Sequence, residues 1–81
     1  MSYRVELHAT ALAQISGLPS GAFDALASTL ADVADRPWDA MAIYANEPEF
    51  RQVIFGILGL VSFYVDDAKE TIRVFDITWT G

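Results

Sequence analysis

Residues 51–79 read RQVIFGILGLVSFYVDDAKETIRVFDITW, three apolar, β-rich runs joined by two turns. Gly56 and Gly59 bracket the first turn, and Asp66-Asp67-Ala68-Lys69-Glu70 makes the second. Val, Ile, Phe, Tyr, Trp and Thr fill the runs, and such side chains suit a pleated surface buried on one side. A three-stranded meander of this kind is large enough to hold itself against a helical layer. The alternation puts Val53, Phe55, Val61, Phe63 and Val65 on that inner side. Whatever the first fifty residues do, they must supply the cover.

The first half reads as helices behind an opening strand. Tyr3 to His8 alternates apolar and polar side chains, so Tyr3, Val5 and Leu7 turn inward and His8 outward, at a strand end. Thr10 is the expected cap of a short helix running through Gln14 and Ile15 to Gly17, with Leu12, Ile15 and Leu18 as its apolar side. Pro19-Ser20-Gly21 is a turn, and Ser20 caps a second helix from about Ala22 to Asp35. Phe23, Leu26, Leu30 and Val33 fall at helical spacing and form its expected buried stripe. Asp32 and Asp35 stand in the last turn, where the helix dipole disfavours negative charge; Arg36 offsets this in part. Pro37 stops the helix. Residues 37–49 then read as a loop carrying Trp38, Met41, Ile43 and Tyr44, too apolar to stay in solvent and so expected to pack down on the core. The order is β-α-α-β-β-β. The fold class is α+β, a helical hairpin packed on an antiparallel sheet, in a single domain over residues 1–81.

Composition narrows the chemistry. The chain has no cysteine and one histidine, which excludes disulfides, thiolate chemistry and a His/Cys metal site. No metal or cofactor is expected. The N-terminus MSYRVELH lacks the apolar core of a signal peptide, and no run approaches the ~20 apolar residues of a membrane span, so a cytoplasmic, soluble protein is expected. The formal net charge is -6, and the five Lys and Arg are scattered. Nucleic-acid backbones are held by clustered cations, so strong nucleic-acid binding is not expected. The negative charge either keeps a small apolar protein soluble or steers a basic partner.

The whole pattern resembles the RelE/ParE superfamily of toxin–antitoxin toxins. The resemblance rests on the strand YRVELH, the ISGLP link between helices, the DRPWD helix stop, and the segments FRQVIFG, LVSFYVDD and TIRVFDITW. It implies a RelE/ParE-like fold and a toxin role, with an antitoxin as partner. The ribonucleases of that superfamily use basic residues on the sheet to stabilise developing negative charge, together with groups that move protons. Arg51 matches the position that opens the family's second strand, the first of the meander. Gln52 and Ile54 stand where lysines would sit, Leu60 matches an arginine, and Trp79 matches a basic or histidine position. The sequence stops at Gly81, so no catalytic tail is expected, and Arg51, Arg73 and Tyr64 are the only catalytic candidates.

The outward positions Gln52, Ile54, Leu60, Ser62 and Tyr64 form instead a candidate partner-binding face, for an antitoxin-like segment or a second copy in a homodimer. The Trp38–Tyr44 loop is an alternative cover for the same face. Three functions stay open: a toxin-like component acting by protein binding without efficient RNase activity, a ribosome-dependent mRNA endonuclease, and a non-toxic self-associating module.

Overall fold

The computed structural model describes residues 2–81. Along the chain run β1 (Arg4–Leu7), α1 (Ala9–Ile15), α2 (Ser20–Asp35), a 3₁₀ turn (Pro37–Asp39), β2 (Met41–Tyr44), β3 (Glu47–Phe55), β4 (Gly59–Asp66) and β5 (Thr71–Trp79). They form one five-stranded sheet in the order β1-β5-β4-β3-β2. The α+β class and the helical hairpin agree with the reading of the sequence. The sheet is mixed rather than wholly antiparallel, because β1 joins its edge parallel to β5, with Arg4 opposite Thr71 and Leu7 opposite Val74. Parallel pairing needs a long crossover, and the helices with the meander supply one.

One face of the sheet is the core. Phe55, Val61, Phe63, Val65, Ile72, Val74 and Ile77 are buried there against Ala11 of α1 and Ala22, Leu26 and Val33 of α2. Tyr3, Val5 and Leu7 pack at its margin, as the alternation of β1 requires. The α2 stripe is rotated from the expected one. Ala22 takes the buried position, Phe23 is 46% exposed, and Leu30 packs only partly on the core. Leu12 of α1 is likewise exposed. In each helix an alanine, Ala11 in α1 and Ala22 in α2, takes the inward position beside the exposed larger residue. The caps differ too, since α1 starts behind His8 and α2 behind Pro19, so Thr10 and Ser20 are helical residues.

β1 is too short to protect the whole of β5, and α1 covers what remains. The His8 N–H donates to Val74 O at 2.8 Å. Further along, the Ile77 N–H donates to Gln14 Oε1 at 2.7 Å, and Gln14 Nε2 donates to Asp76 Oδ1 at 3.0 Å. The side-chain carbonyl thus presents to β5 the acceptor that a neighbouring strand would offer, while the amide N–H is held by the Asp76 carboxylate.

The segment 37–49 is not a loop. It holds the 3₁₀ turn, β2 and the start of β3. β2 extends the sheet sideways, with Met41 opposite Gln52 and Ala42 opposite Arg51. Arg51 points to the inner side, since it pairs with core Phe63. Its Nε donates to Pro48 O at 2.7 Å, and its Nη1 donates to Ala40 O at 2.7 Å and Trp38 O at 3.2 Å. The guanidinium lies 5.1 Å from the Trp38 ring centroid. The segment is therefore pinned beside β3 and does not lie over the sheet's other face.

At the β3–β4 turn, Gly56 has a φ of 58°, a conformation glycine adopts without strain. A Cβ at Gly59 would stand 2.4 Å from Phe55 Cζ, so only glycine lets that ring fill the core.

Candidate functional site

Both helices pack on the inner side, which leaves the outer face of the sheet open. Directly opposed residues of an antiparallel pair share a face. The pairs Phe50–Tyr64, Gln52–Ser62 and Ile54–Leu60 between β3 and β4 therefore stand together on it. The five residues read from the sequence as a partner face, Gln52, Ile54, Leu60, Ser62 and Tyr64, share this surface. They are not equally reachable: Ile54 is 63% exposed, Gln52, Leu60 and Tyr64 are half-buried, and Ser62 is buried beneath its neighbours.

The pattern along β3 and β4 divides the face into two ends. Towards the β3–β4 turn it is uncharged, with Ile54, Leu60 and Thr78, the last opposite Leu60. Towards the other end it is aromatic. Phe50 is the centre, with ring centroids 5.1 Å from Tyr64, 5.9 Å from Phe75 and 5.8 Å from Tyr44, all edge to face. Such pairs add about 0.5–1.5 kcal/mol beyond their buried area. Phe75 reaches this face through the register shift of β5, which pairs Ser62 with Asp76 but Phe63 with Val74. Tyr44 arrives by way of β2, so the segment once open as a cover contributes a rim instead.

The sequence reading missed Phe50, Phe75 and Tyr44. Carrying the alternation of Gln52 and Ile54 back by two residues would have found Phe50. Nothing in the sequence marks the bulge that turns Phe75.

Beside the aromatic row lies a concavity of about 280 Å³ lined by His8, Phe50, Tyr64, Arg73 and Phe75. The Arg73 guanidinium stands between two carboxylates, 3.7 Å from Glu6 and 3.9 Å from Asp66. Glu6 also meets Arg4 at 3.2 Å. The two cations on this face are thus already compensated. Of the catalytic candidates, Tyr64 and Arg73 share the concavity, and Arg51 lies on the opposite side of the sheet with its guanidinium held by backbone carbonyls. His8, an outward strand-end residue in the sequence, joins the first two.

Elsewhere, the Tyr3 hydroxyl donates to the Asp67 carboxylate. That bond favours the neutral phenol, and with partial burial it raises the Tyr3 pKa above the ordinary tyrosine value. Among the described residues, no group of three or more His, Cys, Asp or Glu side chains could hold a metal ion. No helix among them is long and apolar enough to cross a membrane.

No protein-family model matches the chain, and no curated protein matches it significantly. Solved structures do. The chain superposes on the toxin–antitoxin complex RelBE2 from Mycobacterium tuberculosis with a TM-score of 0.86 at 16% identity, covering 99% of this chain and 100% of that one. For the intact Escherichia coli RelBE complex the TM-score is 0.84 at 17% identity, with 99% of each chain covered. For the archaeal RelE–RelB complex from Pyrococcus horikoshii OT3 it is 0.76 at 15% identity, covering 100% of this chain and 98% of that one. The chain has the fold of the RelE toxins.

Proposed function

We propose that the protein is the toxin-like component of a type II toxin–antitoxin system and acts by protein–protein binding through the outer face of its sheet, without efficient RNase activity. The partner is an antitoxin-like segment or a cellular target, and a second copy of the chain is the alternative occupant. The similarity to RelE toxins, several of them solved with RelB antitoxins, supports the class of system. One observation carries the mode of action. The cations of the outer face, Arg4 and Arg73, share the carboxylate of Glu6, and Asp66 flanks Arg73 on its other side. A phosphorane needs uncompensated positive charge where its own charge develops, whereas an apolar strip of Ile54 and Leu60 ending in an aromatic row suits a polypeptide.

Leu60→Lys tests this reading. A charge placed unpaired in an apolar contact is strongly unfavourable, so the variant folds but loses its partner. Sedimentation at several concentrations, with and without the product of the neighbouring gene, reads the association. A wild-type protein that stays monomeric and binds nothing removes the basis of the proposal.

A second reading has its own support. His8, Tyr64 and Arg73 bring an imidazole, a phenol and a guanidinium to one concavity, the side-chain types that move protons and stabilise anions. Cleavage of mRNA on ribosomes by the purified protein, lost in Arg73→Ala or His8→Ala, would make it a ribosome-dependent mRNA endonuclease and overturn the binding reading.

A further inference from the structure

A second surface lies on the other side of β3, away from the outer face. β2 begins at Met41, opposite Gln52, so β3 outlasts it. Val53 and Ile54 pair with Val61 and Leu60 of β4 on one side, and no strand pairs with them on the other. Neither residue makes a backbone hydrogen bond outside the sheet. An unpaired strand edge is a template for another polypeptide, and proteins usually blunt one with lysine, proline or a covering element. Here β3 offers Val-Ile at that point.

A cleft of about 490 Å³ opens at this edge, between the C-terminal end of α2, the 3₁₀ turn and β3. Val33, Ala40 and Val53 supply its apolar floor, and Asp32, Asp35 and Asp39 stand around it. Arg36 is the cation of the lining, so three carboxylates against one guanidinium leave two negative charges. Among the described residues none of these three aspartates has an ion-pair partner. Asp32 and Asp35 also sit in the last turn of α2, which itself holds no basic residue; Arg36, the C-cap, is the cation that follows it. An edge wanting a strand, a floor wanting apolar side chains and a rim wanting cations coincide.

We infer that this cleft and the open edge of β3 bind an extended, basic segment of a partner protein. The segment adds a short strand at Val53–Ile54, sets its apolar side chains against Val33, Ala40 and Val53, and places Lys or Arg against Asp32, Asp35 and Asp39. Strand addition gives affinity through main-chain hydrogen bonds and specificity through alternate side chains. The net charge of -6 disfavours a second copy of the chain here and draws a basic segment instead. The inference does not rest on the outer face.

The test titrates the full-length, ¹⁵N-labelled protein with three synthetic hexapeptides, alternating Val/Lys, Val/Glu and Ser/Lys. The Val/Lys peptide is expected to bind, with the largest amide shifts at Asp39, Ala40, Val53 and Ile54, and slowed amide exchange at the β3 edge. Each exposed ion pair changes an equilibrium constant by roughly 1.5- to 5-fold, so the Asp32→Asn/Asp35→Asn/Asp39→Asn variant should bind about tenfold more weakly. These substitutions relieve repulsion at the helix end, so the variant stays folded, which its thermal melt verifies. Leu60→Lys should bind the peptide like wild type, which separates this surface from the outer face. Equal binding of the Val/Glu or Ser/Lys peptide, shifts confined to Leu60 and Tyr64, unchanged affinity in the triple variant, or no shift at millimolar peptide would each overturn the inference.

Discussion

Arg51 is the residue whose role the structure changes most, and its substitution gives a sharp test. Its guanidinium donates to the carbonyls of Pro48, Ala40 and Trp38 and lies against the Trp38 ring. Hydrogen bonds from a charged donor contribute roughly 1.5–3 kcal/mol when well buried. Only the bond to Ala40 O is part-buried, so the other two count for less. With about 0.5–1 kcal/mol for an exposed cation–π contact, Arg51→Ala should cost about 2–3 kcal/mol. A domain of this size has roughly 4–12 kcal/mol to lose, so the variant remains folded with its melting temperature down by about 10–20 °C. Arg51→Lys keeps the charge but not the fork and restores about half. Urea unfolding followed by far-ultraviolet circular dichroism measures the loss, and amide exchange over Met41–Tyr44 should quicken more than over β4. If Arg51→Ala unfolds within about 0.5 kcal/mol of wild type, the carbonyl contacts contribute little and the latch is wrong. Full rescue by lysine would reduce the role to charge alone.

Three further outcomes follow from the packing and the charges. Leu26→Ala should cost about 3–5 kcal/mol, half-buried Leu30→Ala about 1–2, and exposed Phe23→Ala under about 1; urea midpoints in any other order would put the helix phase in error. Gly59→Ala drives a methyl into the Phe55 ring and should cost about 1–3 kcal/mol or more, whereas Gly21→Ala, with open space around it on α2, should be neutral or stabilising in the same melts. The raised Tyr3 pKa, caused first by its bond to Asp67, means this group's stabilisation is complete below the unfolded tyrosine value of ~10 and is lost as pH rises through the higher folded value; an alkaline stability profile that keeps the same step in Tyr3→Phe would show that another group is responsible.

The fold was legible wherever a period of two met a buried face. The alternation of β4 marked Val61, Phe63 and Val65, and all three are buried. It failed where hydrophobicity did not choose the inward residue, as at Ala22 over Phe23. It failed again over residues 37–49, because β2 is pinned by an arginine thirteen and eleven residues away from the carbonyls of Trp38 and Ala40. Two prolines signalled a loop, and no local pattern announces such a latch. The outer face was half legible: Gln52, Ile54, Leu60 and Tyr64 follow from alternation, but Phe75 depends on a bulge and His8 on where β1 ends.

The two faces of this sheet answer to different constraints, and that explains how a RelE fold persists at 15–19% identity. The inner face needs apolar volume at alternate positions, a demand that many sequences meet. The outer face fills no core, so its chemistry answers to what it binds rather than to packing. In this chain its side chains follow one arrangement. The outer-face cations are paired with carboxylates, leucine and isoleucine lie between them and the turn, and on the other surface aspartates without an ion-pair partner among the described residues collect at the end of α2. A surface so arranged repels polyanions and attracts cations on an apolar carrier. The same electrostatics thus weaken the ribonuclease reading and favour a basic polypeptide partner. Raising the ionic strength should therefore strengthen any binding to RNA, by screening repulsion, and weaken binding to the Val/Lys peptide. RNA binding that instead falls with added salt, in the manner of a basic nuclease, would refute the charge argument for both surfaces at once.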